Sequence, residues 1–450
     1  MNYQQKIATT KTERTFEFIK TGVKVGGNYV KHFARKTFNP DSTDEILHND
    51  NAEDIYNSLS KLKGSALKVA QMLSMDKGLL PKAYADKFSL SQYQAPPLSA
   101  PLVVQTFQKT LGKSPSEIFD SFDLNAGNAA SIGQVHKASL KGKKLAVKVQ
   151  YPGVAESIKS DLKLVKPIAT RMFNLSEADL NKYMGEVEEK LLEETDYLLE
   201  LKRSQQMTDA AAHLDGLKFP QYYKELSSKR IITMDFLEGF HLNDFLLQNP
   251  SQEIKNLVAQ RLWDFFEYQM HQLRFIHADP HPGNFLFNLD GTVGVIDFGC
   301  MKQIPEDFYY DYFALILPEI RQEKNTIELV MERIEMIYPK DSDAKKQIFK
   351  DAFLKMTSLL SKPFETDFFD FGNSNYIEEI YKLGEEIGNI KEIRDSRDGR
   401  GSRHMLYINR TYFGLYNMMN ALQAQIKTKD SGWRDNILNH FAQLSKEVLV

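Results

Sequence analysis

His277-Ala278-Asp279-Pro280-His281-Pro282-Gly283-Asn284, with Asp297-Phe298-Gly299 a short way beyond, is the stretch from which the rest of this 450-residue chain can be read. One piece of chemistry sets its residue types. Magnesium takes hard oxygen ligands, often one or two from protein and the remainder from phosphates and water. Asn284 and Asp297 are the candidates for those ligands. Asp279 is then left to orient or deprotonate the acceptor of a phosphoryl group. Between the two metal candidates, Phe285-Leu-Phe-Asn-Leu and Thr292-Val-Gly-Val-Ile read as short strands joined by a tight Asp290-Gly291 turn. Any one dipeptide here would be weak; the complete set at this spacing is not.

Composition narrows the class. The chain is 42% hydrophobic and 26% charged with a net charge of −3, ordinary values for a soluble protein. Length alone suggests two or three domain-sized units. No basic excess points to nucleic acid. The one cysteine, Cys300, excludes an intrachain disulfide and suits a reducing compartment. No apolar run reaches the roughly 18 residues of a membrane span. The opening Met1-Asn-Tyr-Gln-Gln-Lys lacks the apolar core of a signal peptide. The expectation is a cytoplasmic protein without a transmembrane segment.

Residues 1–51 form a basic N-terminal segment, with Lys6, Lys11, Arg14, Lys20, Lys24, Lys31, Arg35 and Lys36 among apolar residues at partly helical spacing. Two readings stay open there: an interfacial helix on an anionic membrane surface, or a helix packed on the protein with a solvated basic face. A helical region, 52–117, carries Lys68 and Gln71 three residues apart and so on one face. From 118 the period changes. Ile118–Asp123 reads as a strand, Ala126–Ser131 as a small-residue loop, Ile132–Leu140 as a strand, and Leu145–Gln150 as a strand carrying Lys148. That layout is the small lobe of a protein kinase, where the lysine pairs with nucleotide phosphates and with a glutamate on the next long helix. Ala129, Ala130 and Ser131 stand where a glycine-rich phosphate loop is usual; they are small enough for close backbone approach but less free at positive φ.

Ser176 can cap a long helix over 177–210. Arg230–Gly239 reads as a strand ending in an acidic link, the hinge under an adenine ring, with Met234, Asp235 and Leu237 as its candidate contacts. A helix over 251–276 delivers the chain to His277. Residues 301–450 read as mostly helical, with 392–403 as an exposed polar loop. The expected fold is therefore α+β and bilobal, protein-kinase-like. Its small β-rich lobe spans 118–239 with inserted helices, its helical lobe spans 240–450, and the 52–117 helices form an N-terminal extension.

Lys68-x-x-Gln71, the Ala129-Ala130-Ser131 loop, Val147-Lys148-Val-Gln-Tyr-Pro-Gly153, Glu194-Thr195-Asp196 and the His277–Asn284 stretch together resemble the UbiB/AarF family of atypical kinases. The specific motifs cover about 52–300, and the C-terminal helices fit more loosely. The resemblance implies that Lys148 binds phosphate, that Glu188 is its helix partner, and that Asp279 is the catalytic-loop aspartate with Asn284 and Asp297 on the metal. It also implies that Lys68 and Gln71 belong to a helix lying over the active site, gating it through contacts with Glu194 and Asp196. Two residues apart on a helix do not face the same way, so one of Glu194 and Asp196 is expected near a helix irregularity or in a separate contact. Ala70 and Asn128 depart from the family pattern, which leaves the nucleotide preference open.

The implied function is a Mg-ATP-dependent kinase or ATPase of the UbiB type, acting on or regulating isoprenoid-lipid (quinone) metabolism rather than peptides. Its cofactors would be ATP or ADP and Mg²⁺, with an anionic membrane surface or an isoprenoid lipid as further partners and a peripheral membrane location as one option. The sequence argues against peptide acceptors, because no Ala-Pro-Glu follows Asp297-Phe298-Gly299 and Ala278 precedes the catalytic aspartate where regulated kinases have Arg. His281 replaces the lysine found two residues after that aspartate, removing a fixed positive charge. Two alternatives stay open: an ATP-switched, chaperone-like module for lipid intermediates or their enzymes, and a pseudokinase scaffold.

Overall fold

The structure is a computed structural model that describes residues 98–447, apart from 126, 131, 174–176, 397, 430 and 431. The basic N-terminal segment, Lys68, Gln71 and Ser131 lie outside the described residues. The chain divides into two compact units. One runs to Gln205 and includes Pro220–Phe236; the other takes Gln206–Phe219 and Leu237 onward.

The first unit is built on a five-stranded antiparallel sheet. Lys143–Gln150 lies at its centre, paired with Gly133–Leu140 on one side and Ile231–Asp235 on the other, while Ser121–Phe122 and Asn128–Ala130 both pair with Gly133–Leu140. Lys141 and Gly142 both take positive φ, the backbone of the tight hairpin turn that joins the two long strands. From Leu145 to Gln150 every residue is buried, so both faces of this strand are covered. The Ala100–Leu111 helix buries Val103, Thr106 and Phe107, and Phe107 meets Phe119 and Phe122 edge-on. The strand expected over 118–123 shrinks to Ser121–Phe122. Ahead of it, the short helix that Pro115–Phe119 can start forms as Pro115–Ile118, opened by a capping box between Ser114 and Glu117.

The single helix expected over 177–210 is two. Glu177–Glu194 ends, and Tyr197–Ala211 begins after Thr195-Asp196. Asp196 Oδ1 accepts from the backbone N–H groups of Leu198 and Leu199 at 3.1 and 3.2 Å, so it caps the new helix. Gln150 Nε2 donates to the Thr195 carbonyl at 2.9 Å and holds the break against the central strand. A helix at Val154–Phe173 precedes the pair.

The second unit is mostly helical around an aromatic-rich core that includes Trp263, Phe265, Phe266, Tyr416 and Trp433. The Gln252–Glu267 helix does not run on to 276. It loosens into a π-helix at Tyr268–Leu273, stops at Arg274 with φ 49°, and gives way to the strand Phe275–His277. That strand pairs with Met301–Gln303. The Phe285–Phe287 and Val293–Val295 hairpin forms as read, with Gly291 at φ 82° in its turn and Leu217–Lys218 added in parallel.

The 392–403 stretch departs from its reading as an exposed loop. Arg400 is buried there and donates from both terminal nitrogens to Asp341 at 2.8 Å. Its guanidinium also lies 3.9 Å from the Phe349 ring centroid. Local polarity could not reveal this, because the partner is 59 residues away. The next residue is held too: Gly401 N–H donates to Glu335 O, and Ser402 N–H to Ile334 O. Ser402 then caps the Arg403–Ala421 helix.

Arg400 holds the Asp341 carboxyl far below its ordinary value of 3.8; burial opposes this, and the Tyr338 N–H adds to it. A depressed carboxyl stabilises the fold above its unfolded pKa and loses that contribution as pH falls through and below it. Arg400→Met should therefore lower the unfolding free energy by about 3 kcal/mol at pH 7. In urea titrations, its gap to the parent should narrow below about pH 4.

Candidate functional site

The catalytic-loop residues fall in the second unit. The Phe275–His277 strand presents His277, which is fully buried. Its Nε2 lies 2.7 Å from the Asp297 carbonyl, and its Nδ1 lies 3.3 Å from the Asp279 N–H. A carbonyl can only accept and an N–H can only donate, so the ring is the neutral Nε2–H tautomer. Burial lowers its pKa despite the nearby charges of Asp279 and Asp297, in keeping with that neutral form. His277 thereby ties the candidate catalytic loop to the Asp297-Phe298-Gly299 segment. Gln269, in the π-helix, accepts from His277 N–H at 2.7 Å. This π-turn braces the loop, and the helical reading of 251–276 missed it.

Asn284 and Asp297 are brought together by the hairpin. Phe285 pairs with Val295, and Ile296 N–H donates to Asn284 O at 3.0 Å. Asn284 Nδ2 donates to the Asp279 carbonyl at 2.9 Å, so it is the amide oxygen that would be offered to a metal. Asp297 Oδ1 accepts from Gly299 N–H at 2.7 Å, fixing the carboxylate's rotamer. Among the described residues no group of three or more His, Cys, Asp or Glu forms a metal cage. Two hard oxygen donors held by backbone contacts fit Mg²⁺, which usually keeps phosphates and water as its other ligands. Cys300 is buried, and its carbonyl accepts from Ala278 N–H at 2.9 Å.

Asp279 has a partner that the sequence did not suggest. Arg410, on the Arg403–Ala421 helix, donates from Nη2 to Asp279 Oδ1 at 2.8 Å, with both side chains largely buried.

The phosphate-binding candidate falls in the first unit. Lys148 points from the doubly covered central strand, with 8% of its side chain exposed. Its Nζ lies 2.9 Å from Glu200 Oε1 and 5.1 Å from the Tyr197 ring centroid. Glu200, not Glu188, is therefore the helix glutamate. Glu188 lies in the preceding helix, where its ion pair is with the exposed Lys159 at 3.8 Å. The helix break explains the correction. It restarts the helical register at Asp196, so Tyr197 and Glu200, three apart, share the face that meets Lys148. The signal was present in the sequence: an aspartate read as a cap puts a glutamate one turn into the new helix. Gln150, two residues along the strand and so on the Lys148 face, anchors the break itself.

The remaining candidates are placed as follows. Ala129 and Ala130 belong to the short strand Asn128–Ala130 rather than to an open loop. Met234 and Asp235 end the Ile231–Asp235 strand, where Asp235 accepts from Tyr223 OH at 2.7 Å. Leu237 opens the longer segment of the second unit. Glu194 is buried at the end of its helix, and Asp196 caps the next.

A family model described as the ABC1 atypical kinase-like domain matches residues 90–331. The chain belongs to that family. It is 28% identical to "Atypical kinase COQ8, mitochondrial" of Saccharomyces cerevisiae over 453 residues, covering 98% of this chain and 85% of that one. It is 29% identical to "Probable serine/threonine-protein kinase abkA" of Dictyostelium discoideum over 391 residues, covering 82% and 68%. Among solved structures, that of the Rv3197–erythromycin complex from Mycobacterium tuberculosis aligns with TM-score 0.57 and 25% identity, covering 86% of this chain and 96% of that one. The resemblance to the UbiB/AarF family and the kinase-like α+β fold both stand. No described helix of this ABC1-family chain is long and apolar enough to cross a membrane.

The Lys148 pairing gives a direct comparison. Glu200→Gln should lower stability by roughly 2–3 kcal/mol, because it removes one charge of a buried pair. Glu188→Gln should stay within about 0.5 kcal/mol of the parent, as expected for an exposed pair. Chemical denaturation of the two variants side by side checks both values.

Proposed function

We propose that this ABC1-family chain is a Mg-ATP-dependent phosphoryl-transfer enzyme, acting on or regulating isoprenoid-lipid (quinone) metabolism rather than phosphorylating peptides. The observation that carries the reading is the set of phosphate- and metal-binding candidates, each held by a specific contact. Lys148 is paired with Glu200, Asn284 is anchored by the Asp279 carbonyl, and Asp297 is anchored by Gly299. A scaffold without chemistry would have no need to keep all of them ordered.

In this reading Mg²⁺ neutralises phosphate charge, Asn284 and Asp297 supply its protein ligands, and Lys148 binds phosphate oxygens. Asp279 orients the attacking hydroxyl or water and receives its proton. Lys68 and Gln71 would act on Glu194 and Asp196, as the family resemblance implies. The preference for acceptors other than peptides is supported by the chain after Asp297-Phe298-Gly299. The strand Met301–Gln303 leads almost at once into the Glu306–Ala314 helix, with no long segment to hold a peptide.

A thermal-shift titration tests the metal-nucleotide reading. A ligand that binds only the folded state adds about 2.7 kcal/mol at a hundredfold excess over its Kd. MgATP should raise the parent's melting temperature, and Asp297→Asn should abolish the response while remaining folded. Absence of any response to MgATP or MgADP at concentrations on the order of millimolar would remove the catalytic reading and favour a scaffold. If MgATP binds, ATP hydrolysis that rises with anionic vesicles or a quinone-like phenol supports the lipid assignment.

A further inference from the structure

His281 stands where a fixed cation is expected near the transferred phosphate, and the structure shows how it is used. Its Nδ1 accepts from Gly283 N–H at 3.0 Å, capping the Pro282–Asn284 turn. A ring nitrogen that accepts carries no proton. The imidazole therefore braces the loop and does not act as a constant positive charge.

A cation reaches this loop from elsewhere in the sequence. Arg410 lies 131 residues beyond Asp279, and its guanidinium meets that carboxylate at 2.8 Å with 7% and 12% of the two side chains exposed. The same helix touches the loop at two further points. Thr411 Oγ1 donates to the His277 carbonyl at 3.4 Å. Gly414 lies so close that a Cβ there would overlap the Pro280 ring and come within 3.0 Å of the Pro280 carbonyl. Arg410 and Gly414 are four apart and share one face, so the helix backbone is pressed onto the loop at the residue beside Asp279. The start of this helix is fixed by the Arg400–Asp341 pair through Gly401 and Ser402.

We propose that Arg410 is a positioning residue of the catalytic loop, supplying from the Arg403–Ala421 helix the fixed positive charge that His281 does not. The guanidinium holds the Asp279 carboxylate in one orientation. Its planar fork does this better than an ammonium on a flexible stem. The inference rests on the phosphoryl-transfer reading above, because it gives Arg410 a task only if Asp279 faces an acceptor.

The test uses the full chain, with MgATP as the probe and water as the acceptor. Arg410→Met should lower kcat for ATP hydrolysis by roughly tenfold or more, the scale of losing one preorganised donor. KM and the MgATP-induced rise in melting temperature should stay within about threefold and a degree or so of the parent, respectively, as expected for an interaction outside ground-state binding. Arg410→Lys should recover part of the loss. An unchanged or raised kcat in Arg410→Met would overturn the inference, the latter by making Arg410 a brake. So would a loss of kcat accompanied by loss of the MgATP response.

A second measurement needs no turnover. Arg410→Met leaves the Asp279 charge in a buried place with one cation fewer. It should therefore lower the melting temperature more than the double variant Asp279→Asn/Arg410→Met does. Additive shifts would overturn the pairing. A parent that hydrolyses no MgATP overturns the functional reading and with it Arg410's catalytic task, while this comparison separately decides whether Arg410 and Asp279 are paired.

Discussion

An ionised side chain taken out of water must find an opposite charge or a dense set of hydrogen bonds, or the fold loses several kcal/mol. Three buried cations in this chain meet that constraint in the same way. Lys148, in a strand covered on both faces, reaches Glu200. Arg410 reaches Asp279, and Arg400 reaches Asp341. Each pair joins distant parts of the chain, so each also fixes how two elements lie on one another. The helix break at Thr195-Asp196, held by the Asp196 cap and by Gln150, makes the first pair possible: a helix continuing without interruption would carry Glu200 on a different register. Arg203 ties the two helices across the break by bonding Glu193 at 2.7 Å. There burial works against the Glu193 charge, but Arg203 and Lys190 outweigh it and lower its pKa.

In the second unit the constraint runs in series. Arg400 closes the polar stretch before the Arg403–Ala421 helix, and that helix then supplies Arg410, Thr411 and Gly414 to the His277–Asn284 loop. Tyr412, on the adjoining face, donates to Glu267 at 2.9 Å and so reaches the helix that leads into the loop. The Lys302 ammonium sits 4.6 Å from the Tyr407 ring centroid, on the strand that pairs with His277. A loop that in peptide kinases is flanked by a long activation segment is here backed by one late helix. That helix is anchored in the aromatic core through Tyr416, which stacks on Trp263.

Much of this was legible in the primary structure, for identifiable reasons. The His277–Asn284 and Asp297-Phe298-Gly299 pattern, the hairpin between them and the lysine-bearing strand are local features. Their spacing is dictated by the reach of a few backbone bonds. Misread elements were those whose ends depend on distant groups. The 177–210 helix looked continuous because no residue in it breaks helices strongly, while its cap works together with Gln150. The 251–276 helix looked continuous because its apolar spacing persists past the π-turn that carries Gln269 to His277. The polar 392–403 stretch looked exposed because nothing nearby could satisfy Arg400.

The sequence by itself determined the kinase-like class, the family, and the catalytic-loop and metal candidates, since these rest on residue types at short, fixed separations. Only the tertiary structure decided which glutamate meets Lys148 and which cation meets Asp279. Partners 52 and 131 residues apart are chosen by how helices pack against a strand or a loop. Spacing along the chain carries no record of that, because chain entropy lets many acidic or basic residues come within reach and only the packed core admits one.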